Sequence, residues 1–375
     1  MTITNWRWTL TLGMMRGLSL PTVLLAVLLA VTGCQSLQRS HSATASGSHS
    51  ATFFVFGTLV DVTLRGVSEA RAENAFAALQ EDFRRMHRDW HPWQPGPLTR
   101  LNTGLAKGEC TPAPESIRTL IRRSTAYERA TGGLFNPAIG KLIELWGFHT
   151  SQFPIEGPPP SAAAIKKLVA QQPSMTNLEL RAGCVASSNP AVWLDFSGIA
   201  KGYAVDLAVE RMRDTGVPAA LVSAGGDLRA YSGEQSNWRV GIRDPAGGVL
   251  AILLIRGDRA VSTSGVDQRY REDAEKRYPH IIDPRTGYPV DHVASVTVVA
   301  QQGIQTDPAA TALVVAGPGE WPAVAAALGM QEVLMVLPDG SLEMTPAMAK
   351  RLQDGPWQDR STRIVDLPKT SPGGD

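Results

Sequence analysis

Charge of one sign is what this sequence most plainly lacks. Its 375 residues include 36 Lys or Arg and 35 Asp or Glu, for a formal net charge of +1. No global field draws the chain to nucleic acid or to an acidic membrane surface, so we expect no nucleic-acid partner. An apolar run of spanning length is missing from the N-terminal region as well. The stretch Leu18 to Val31 falls short of the ~20 residues that cross a bilayer as a helix. No repeat of 20–50 residues is present, which excludes solenoids and propellers. Cysteines number only three; apart from Cys34, Cys110 and Cys184 are equally compatible with a disulfide and with two inert buried thiols. What remains is ordinary globular usage, 43% hydrophobic and 19% charged, in a chain long enough for one large domain or two small ones.

The N-terminus carries more information. Arg7 and Arg16 precede the apolar stretch, which ends in Val31-Thr32-Gly33-Cys34. A basic segment, a short apolar segment and small residues at the cut describe an export signal over residues 1–33. Cys34 directly after Gly33 resembles a bacterial lipobox, in which the cysteine is lipidated and becomes the mature N-terminus. The expected location is the cell envelope, with the chain lipid-anchored to the membrane through Cys34 and facing the periplasm. Residues 34–52, rich in Ser, Ala, Gly and His, are too poor in apolar groups to bury a core and read as a flexible tether.

Order is expected from Phe53. Alternating Phe54, Phe56, Val60, Val62 and Leu64 argue for a strand with one buried face. Ala72, Ala75, Phe76, Leu79, Phe83 and Met86 recur at helical spacing over Ser68 to Asp89. A second helix, Glu115 to Ala130, stops at Gly132-Gly133. Short strands are expected at Val192–Phe196, Ala219–Ser223, Trp238–Ile242, Leu250–Ile255 and Ser295–Ala300. Helices at Ala200–Arg213 and Pro308–Val315 and a strand near Val333–Leu337 complete the pattern. Strands that mostly meet strands predict an α+β fold of mixed, largely antiparallel sheets with flanking helices. The tail after Asp354 reads as loosely held.

Four segments have the residue types that chemistry needs. In Asp195-Phe196-Ser197-Gly198-Ile199-Ala200-Lys201, a strand runs through small residues into a helix with a Lys in its first turn. Such a turn brings backbone N–H groups and the helix dipole to an anion, although a tight turn with a solvated Lys explains the spacing equally well. Gly225-Gly226-Asp227 permits close ligand approach or merely a hairpin turn. His280 stands just before Asp283-Pro284-Arg285-Thr286-Gly287, which is turn chemistry beside the side chain that best carries protons near neutrality. Asp307-Pro308 before an apolar helical run reads as an N-cap and first helical residue. Capping leaves Thr311 unexplained: its hydroxyl falls one turn on, and with Asp307 offers hard oxygens suited to Mg²⁺.

Together and in this order the segments resemble the ApbE family of FAD:protein FMN transferases. Phe56-Gly57-Thr58, Leu101-Asn102, Thr131 to Pro137, Leu145 to Phe148 and Trp238 to Pro245 add to the likeness, which covers about residues 53–340. The resemblance implies a catalytic domain over residues 53–345 followed by a C-terminal extension, 346–375. It implies Mg²⁺-dependent cleavage of FAD, attachment of FMN to a Thr or Ser of a target flavoprotein, and release of AMP. The alternatives are a lipoprotein that stores FAD and a pyrophosphatase that releases free FMN.

By the same resemblance, metal ligands fall on Gly198 (through its carbonyl), Asp307 and Thr311. Ala310 stands where some members carry a further Asp. FAD contacts fall on Phe56, Trp93, the Leu134-Phe135-Asn136 segment, Asp195, Lys201 and Ile281. Asn136 replaces a frequent Asp, Phe56 a frequent Met and Trp93 a frequent Tyr. Asp307 and His280 become the catalytic residues, with His280 open to three roles: general base, transient phosphoryl acceptor, or ligand orientation.

Overall fold

The computed structural model describes residues 47–233, 237–274 and 276–369. Its first alternating run folds back on itself: β1 (Ser48–Val55) and β2 (Thr58–Arg65) form an antiparallel hairpin. The two-residue turn, Phe56-Gly57, has positive φ at both positions (57° and 68°), which suits the twist of a tight hairpin. Val60, Val62 and Leu64 fill the inner face of β2, whereas Phe54 is 79% exposed. The expected single strand is thus corrected to two, because a turn resets which residues share a face. The tether is corrected too: Ser48 to Thr52 pair with Arg65 to Asp61, so order begins before Phe53.

Seven further strands extend this hairpin into a nine-stranded sheet. They are β3 (Ala219–Ala224), β4 (Asp227–Tyr231), β5 (Asp258–Gly265), β6 (Ser295–Ala300), β7 (Glu332–Val336), β8 (Leu342–Met344) and β9 (Thr362–Ile364), which lie side by side in that order. All neighbours are antiparallel except β9, which joins β8 in parallel. Smaller sheets of three, three and two strands flank it. The architecture is α+β with mixed sheets and flanking helices, as the sequence predicts.

Two layers of helix pack on the main sheet. Helices α1 (Glu69–Trp90), α2 (Glu115–Ala130) and α3 (Ala200–Asp214) share one core with β2, built around Leu64, Leu79, Phe83, Leu120 and Val209. Helix α4 (Gly303–Ala327), kinked at Gly317, forms a second core with β6 and β7 around Val296, Leu313, Trp321 and Val333. Each such side chain contributes roughly 1.5–3 kcal/mol by leaving water.

Helix α4 begins five residues before the position expected from Asp307-Pro308. Asp206, delivered by α3, accepts from the N–H groups of Gly303 and Ile304 at 2.7 and 2.8 Å. A carboxylate from another element thus caps the helix, so Asp307 is not its N-cap and Pro308 lies inside it. The crossing of α3 and α4 is close: a Cβ on Gly202 would lie 2.1 Å from the Gly303 carbonyl oxygen. Only glycine fits there, and its absence of a side chain sets Asp307 against the backbone of α3.

Two further expectations are corrected. Val192–Phe196 is not a strand but a single bridge from Trp193 to Ile139. It is pinned instead by the buried Asn102 amide, which bonds both the N–H and the carbonyl of Leu194 at 2.7 and 2.9 Å. The chain beyond Asp354 is woven in as far as Ile364 through β9, and Leu352–Gln353 pairs with Val249–Ile255. Cys110 and Cys184 form a disulfide across 74 residues, worth roughly 4 kcal/mol by chain-entropy arguments.

Candidate active site

A cleft of about 560 Å³ opens where the β3–β4 turn, the end of β5, the start of α3 and the first turns of α4 converge. Each wall follows from a local feature of the sequence. Gly225 and Gly226 form a second positive-φ hairpin turn (56° and 104°), and a Cβ on Gly225 would lie 2.6 Å from the Thr58 hydroxyl. The turn delivers Asp227, buried at the start of β4, to the Lys201 ammonium at 2.9 Å. Lys201 also stands 4.0 Å from Asp307. Burial opposes its charge, but Asp227 and Asp307 more than compensate and hold its pKa above the ordinary lysine range.

Asp307 is buried, with one carboxylate oxygen accepting the Gly202 N–H at 2.9 Å. Burial, and then the neighbouring charge of Asp227, push its pKa up to about 7, against the pull of Lys201 and that N–H. Thr311 lies one helical turn on and its hydroxyl is 3.3 Å from that of Ser264. A Cβ built on Gly198 would come within 3.4 Å of the same Thr311 oxygen. The three residues expected to hold metal are therefore brought together from two elements.

Across the cleft, Asp195 accepts from Ser197 N–H at 2.8 Å and pairs with His149 at 3.1 Å. Burial raises its pKa, yet His149 and the Ser197 N–H outweigh burial and leave it below the usual carboxylate range. The His280 backbone N–H donates to the Arg269 carbonyl at 3.0 Å. Its ring Nδ1 is buried with no hydrogen-bond partner among the described residues. Burial first, then the charges of Arg269 and Lys201, lower its pKa to about 4, so the ring is neutral and basic at Nδ1 or Nε2 near pH 7.

Leu134, Phe135, Asn136 and Ile281 also line the cleft. The Asn136 side chain is engaged at both ends, donating to the Pro173 carbonyl at 2.8 Å and accepting from Ala138 N–H at 2.9 Å. It holds its own turn in place. Phe56 is not among the lining residues: its ring stacks on Trp90 at 6.4 Å and meets Phe83 edge-on. Trp93 also stands outside the wall, 38% exposed and stacked at 5.1 Å on His149. Cys34 and the export signal lie outside the described residues.

Four cleft groups escape the sequence reading of individual roles: Asp227, Ser264, Arg269 and, behind Asp195, His149. The Gly-Gly turn before Asp227 is a local signal for it. Nothing local marks Arg269 or His149, whose partners are 11 and 46 residues away.

The family model of the ApbE family matches residues 56–335. An FAD:protein FMN transferase of Rhodobacter capsulatus is 42% identical over 328 residues, 85% of this chain, which spans 61% of that protein's length. One from Klebsiella pneumoniae is 32% identical over 320 residues, covering 82% of this chain and 91% of the relative. Among solved structures, the ApbE protein of Thermotoga maritima superposes with a TM-score of 0.74 at 28% identity, covering 82% of this chain and all of the other. By sequence, fold and cleft, this chain belongs to the ApbE family.

Proposed function

We propose that the protein moves FMN from FAD onto the hydroxyl of a Thr or Ser in a target flavoprotein and releases AMP. The observation that carries this reading is one cleft holding both a buried acid at pKa about 7, Asp307, and a neutral His280 with an unpartnered ring nitrogen. The acceptor hydroxyl attacks the phosphorus next to riboflavin. The bond from that phosphorus to the bridging oxygen breaks, and AMP departs with the electron pair. The hydroxyl proton passes to the His280 ring as general base. Its low basicity in the free protein comes partly from Arg269 and Lys201, whose charges an anionic diphosphate offsets. Substrate binding therefore moves His280 toward useful basicity.

Among the described residues no group of three or more His, Cys, Asp or Glu gathers as a metal cage. One carboxylate with hydroxyl and carbonyl oxygens, from Asp307, Thr311 and Gly198, suits Mg²⁺, which takes many of its ligands from phosphates and water. When bound, the ion would neutralise charge on the diphosphate. The high pKa of Asp307 fits that reading, since a buried acid beside another acid favours a cation. Ala310, where some members have Asp, is buried among apolar side chains of the second core.

The test is incubation with FAD, Mg²⁺ and an acceptor protein bearing an exposed Thr, read by intact mass. Transfer gives an FMN adduct on the acceptor and one AMP per adduct. AMP with free FMN means hydrolysis, and intact FAD means storage. We further propose that Cys34 is lipidated and anchors the protein to the membrane on the periplasmic side. The wild type should then partition with membranes and Cys34→Ser should not; equal solubility of the two would remove the anchor.

A further inference from the structure

The charges of the cleft do not balance evenly. Three cationic side chains line it: Lys201, Arg243 and Arg269. Lys201 is 2.9 Å from Asp227, and Arg243 is 2.5 Å from Asp267. The remaining acids are also engaged, Asp195 with His149 and the Ser197 N–H, and Asp307 with the Gly202 N–H. Arg269 alone of the three has no carboxylate or hydrogen-bond acceptor for its guanidinium among the described residues. It rests 5.9 Å from the Phe153 ring, and one terminal nitrogen would lie 3.9 Å from a Cβ on Gly57. Burial opposes its charge, and the field of Asp195 offsets this only in part. A partly buried guanidinium without an anion is costly unless one arrives.

We infer that Arg269 is the anion-binding residue for the diphosphate of FAD, and that it makes the cleft select a diphosphate-bearing flavin over riboflavin. This rests on the reading of the cleft as the FAD site. Arg269 offers five donors in a fork that matches phosphate oxygens, whereas the ammonium of Lys201 is already taken. Its carbonyl holds the His280 backbone, so an anion bound at Arg269 is registered to the general base through one hydrogen bond.

The experiment measures dissociation constants of FAD, FMN and riboflavin on the full chain in Mg²⁺-free buffer, by flavin fluorescence. The wild type should prefer FAD to riboflavin by about 10- to 100-fold, the range of a charge-assisted contact. Arg269→Met and Arg269→Gln should bring that ratio close to one while riboflavin affinity stays within about twofold. Arg269→Lys, which keeps the charge but not the fork, should fall between. An unchanged ratio in Arg269→Met overturns the inference. So does equal weakening of all three flavins in every variant, which marks a structural role. A wild type that binds riboflavin and FAD alike overturns the inference and leaves transfer standing. A wild type that binds no flavin overturns both.

Discussion

Helix α3 carries two buried charge clusters made from the same ingredients. Near its middle, Arg229 joins Asp206 at 3.1 Å and Asp258 at 2.9 Å, with Arg213 bonded to Asp258 from the other side. Asp206 also accepts the two N–H groups that open α4. At the N-terminal end, Lys201 serves two acids, Asp227 and Asp307, and its nearest contact leaves Asp307 with one backbone N–H. Both clusters link α3, β4 and α4. Burial raises the pKa of Asp206 to about 6 and that of Asp307 to about 7. In the first cluster every acid oxygen near the helix junction is occupied, so its job is to hold the crossing. In the second a like-charged neighbour is left in place, which favours a protein only when a ligand supplies the missing positive charge.

The contrast is broken most forcefully at Asp307. Asp307→Asn keeps an acceptor for the Gly202 N–H but removes the charge, and should abolish transfer in a single-turnover assay while the fold is retained. Full activity in this variant would end the metal assignment. At His280 the expected loss is roughly 10²–10⁴-fold in transfer with FAD affinity retained, the signature of general catalysis. If affinity and rate fall together in His280→Ala, the ring orients ligand instead.

In the other cluster the effect should appear as stability. Asp206→Ala removes the cap of α4 and one of the acids that hold the buried Arg229, which keeps its pair with Asp258, and should cost roughly 1–3 kcal/mol in urea unfolding. Transfer by the protein that remains folded should change far less than in Asp307→Asn. A variant of normal stability and lost activity would erase the distinction between the two clusters.

The smallest effect concerns pH. The folded pKa of Asp307, about 7, lies above the ordinary aspartate value of about 3.9, so the folded state holds this proton more tightly than the unfolded one. The resulting stabilisation is complete below about 4 and lost as pH rises through about 7. In Mg²⁺-free buffer the melting temperature of the wild type should therefore fall relative to Asp307→Asn between pH 4.5 and 8, and added Mg²⁺ should narrow the gap at pH 8. Parallel melting curves for the two proteins would show that Asp307 ionises normally.

Much of the fold was legible because its cues are local. Helical spacing from Ala72 to Met86, the Gly132-Gly133 stop and the short apolar runs of β6 and β7 each depend on residues close together in the chain. The cleft motifs were legible for a related reason: glycine pairs and Asp-Pro dipeptides announce unusual backbone wherever they occur. Where the reading failed, the deciding partner came from far along the chain. Asp206 took the capping role that Asp307-Pro308 advertised, across 97 residues, and Asn102 replaced a strand at Leu194 across 92. Phe56 lost its place in the cleft because its turn rotated the ring onto Trp90.

The sequence by itself determined the class of fold, the family and the motifs that meet in one cleft, since residue type and order carry those. Which charges in that cleft are satisfied was decided only by tertiary structure. Lys201, Arg243 and Arg269 are alike in charge, and only the packing of the fold leaves the last without an anion among the described residues. Electrostatic pairing acts through space over a few ångströms, and a linear order of residues does not encode those distances until the chain has folded.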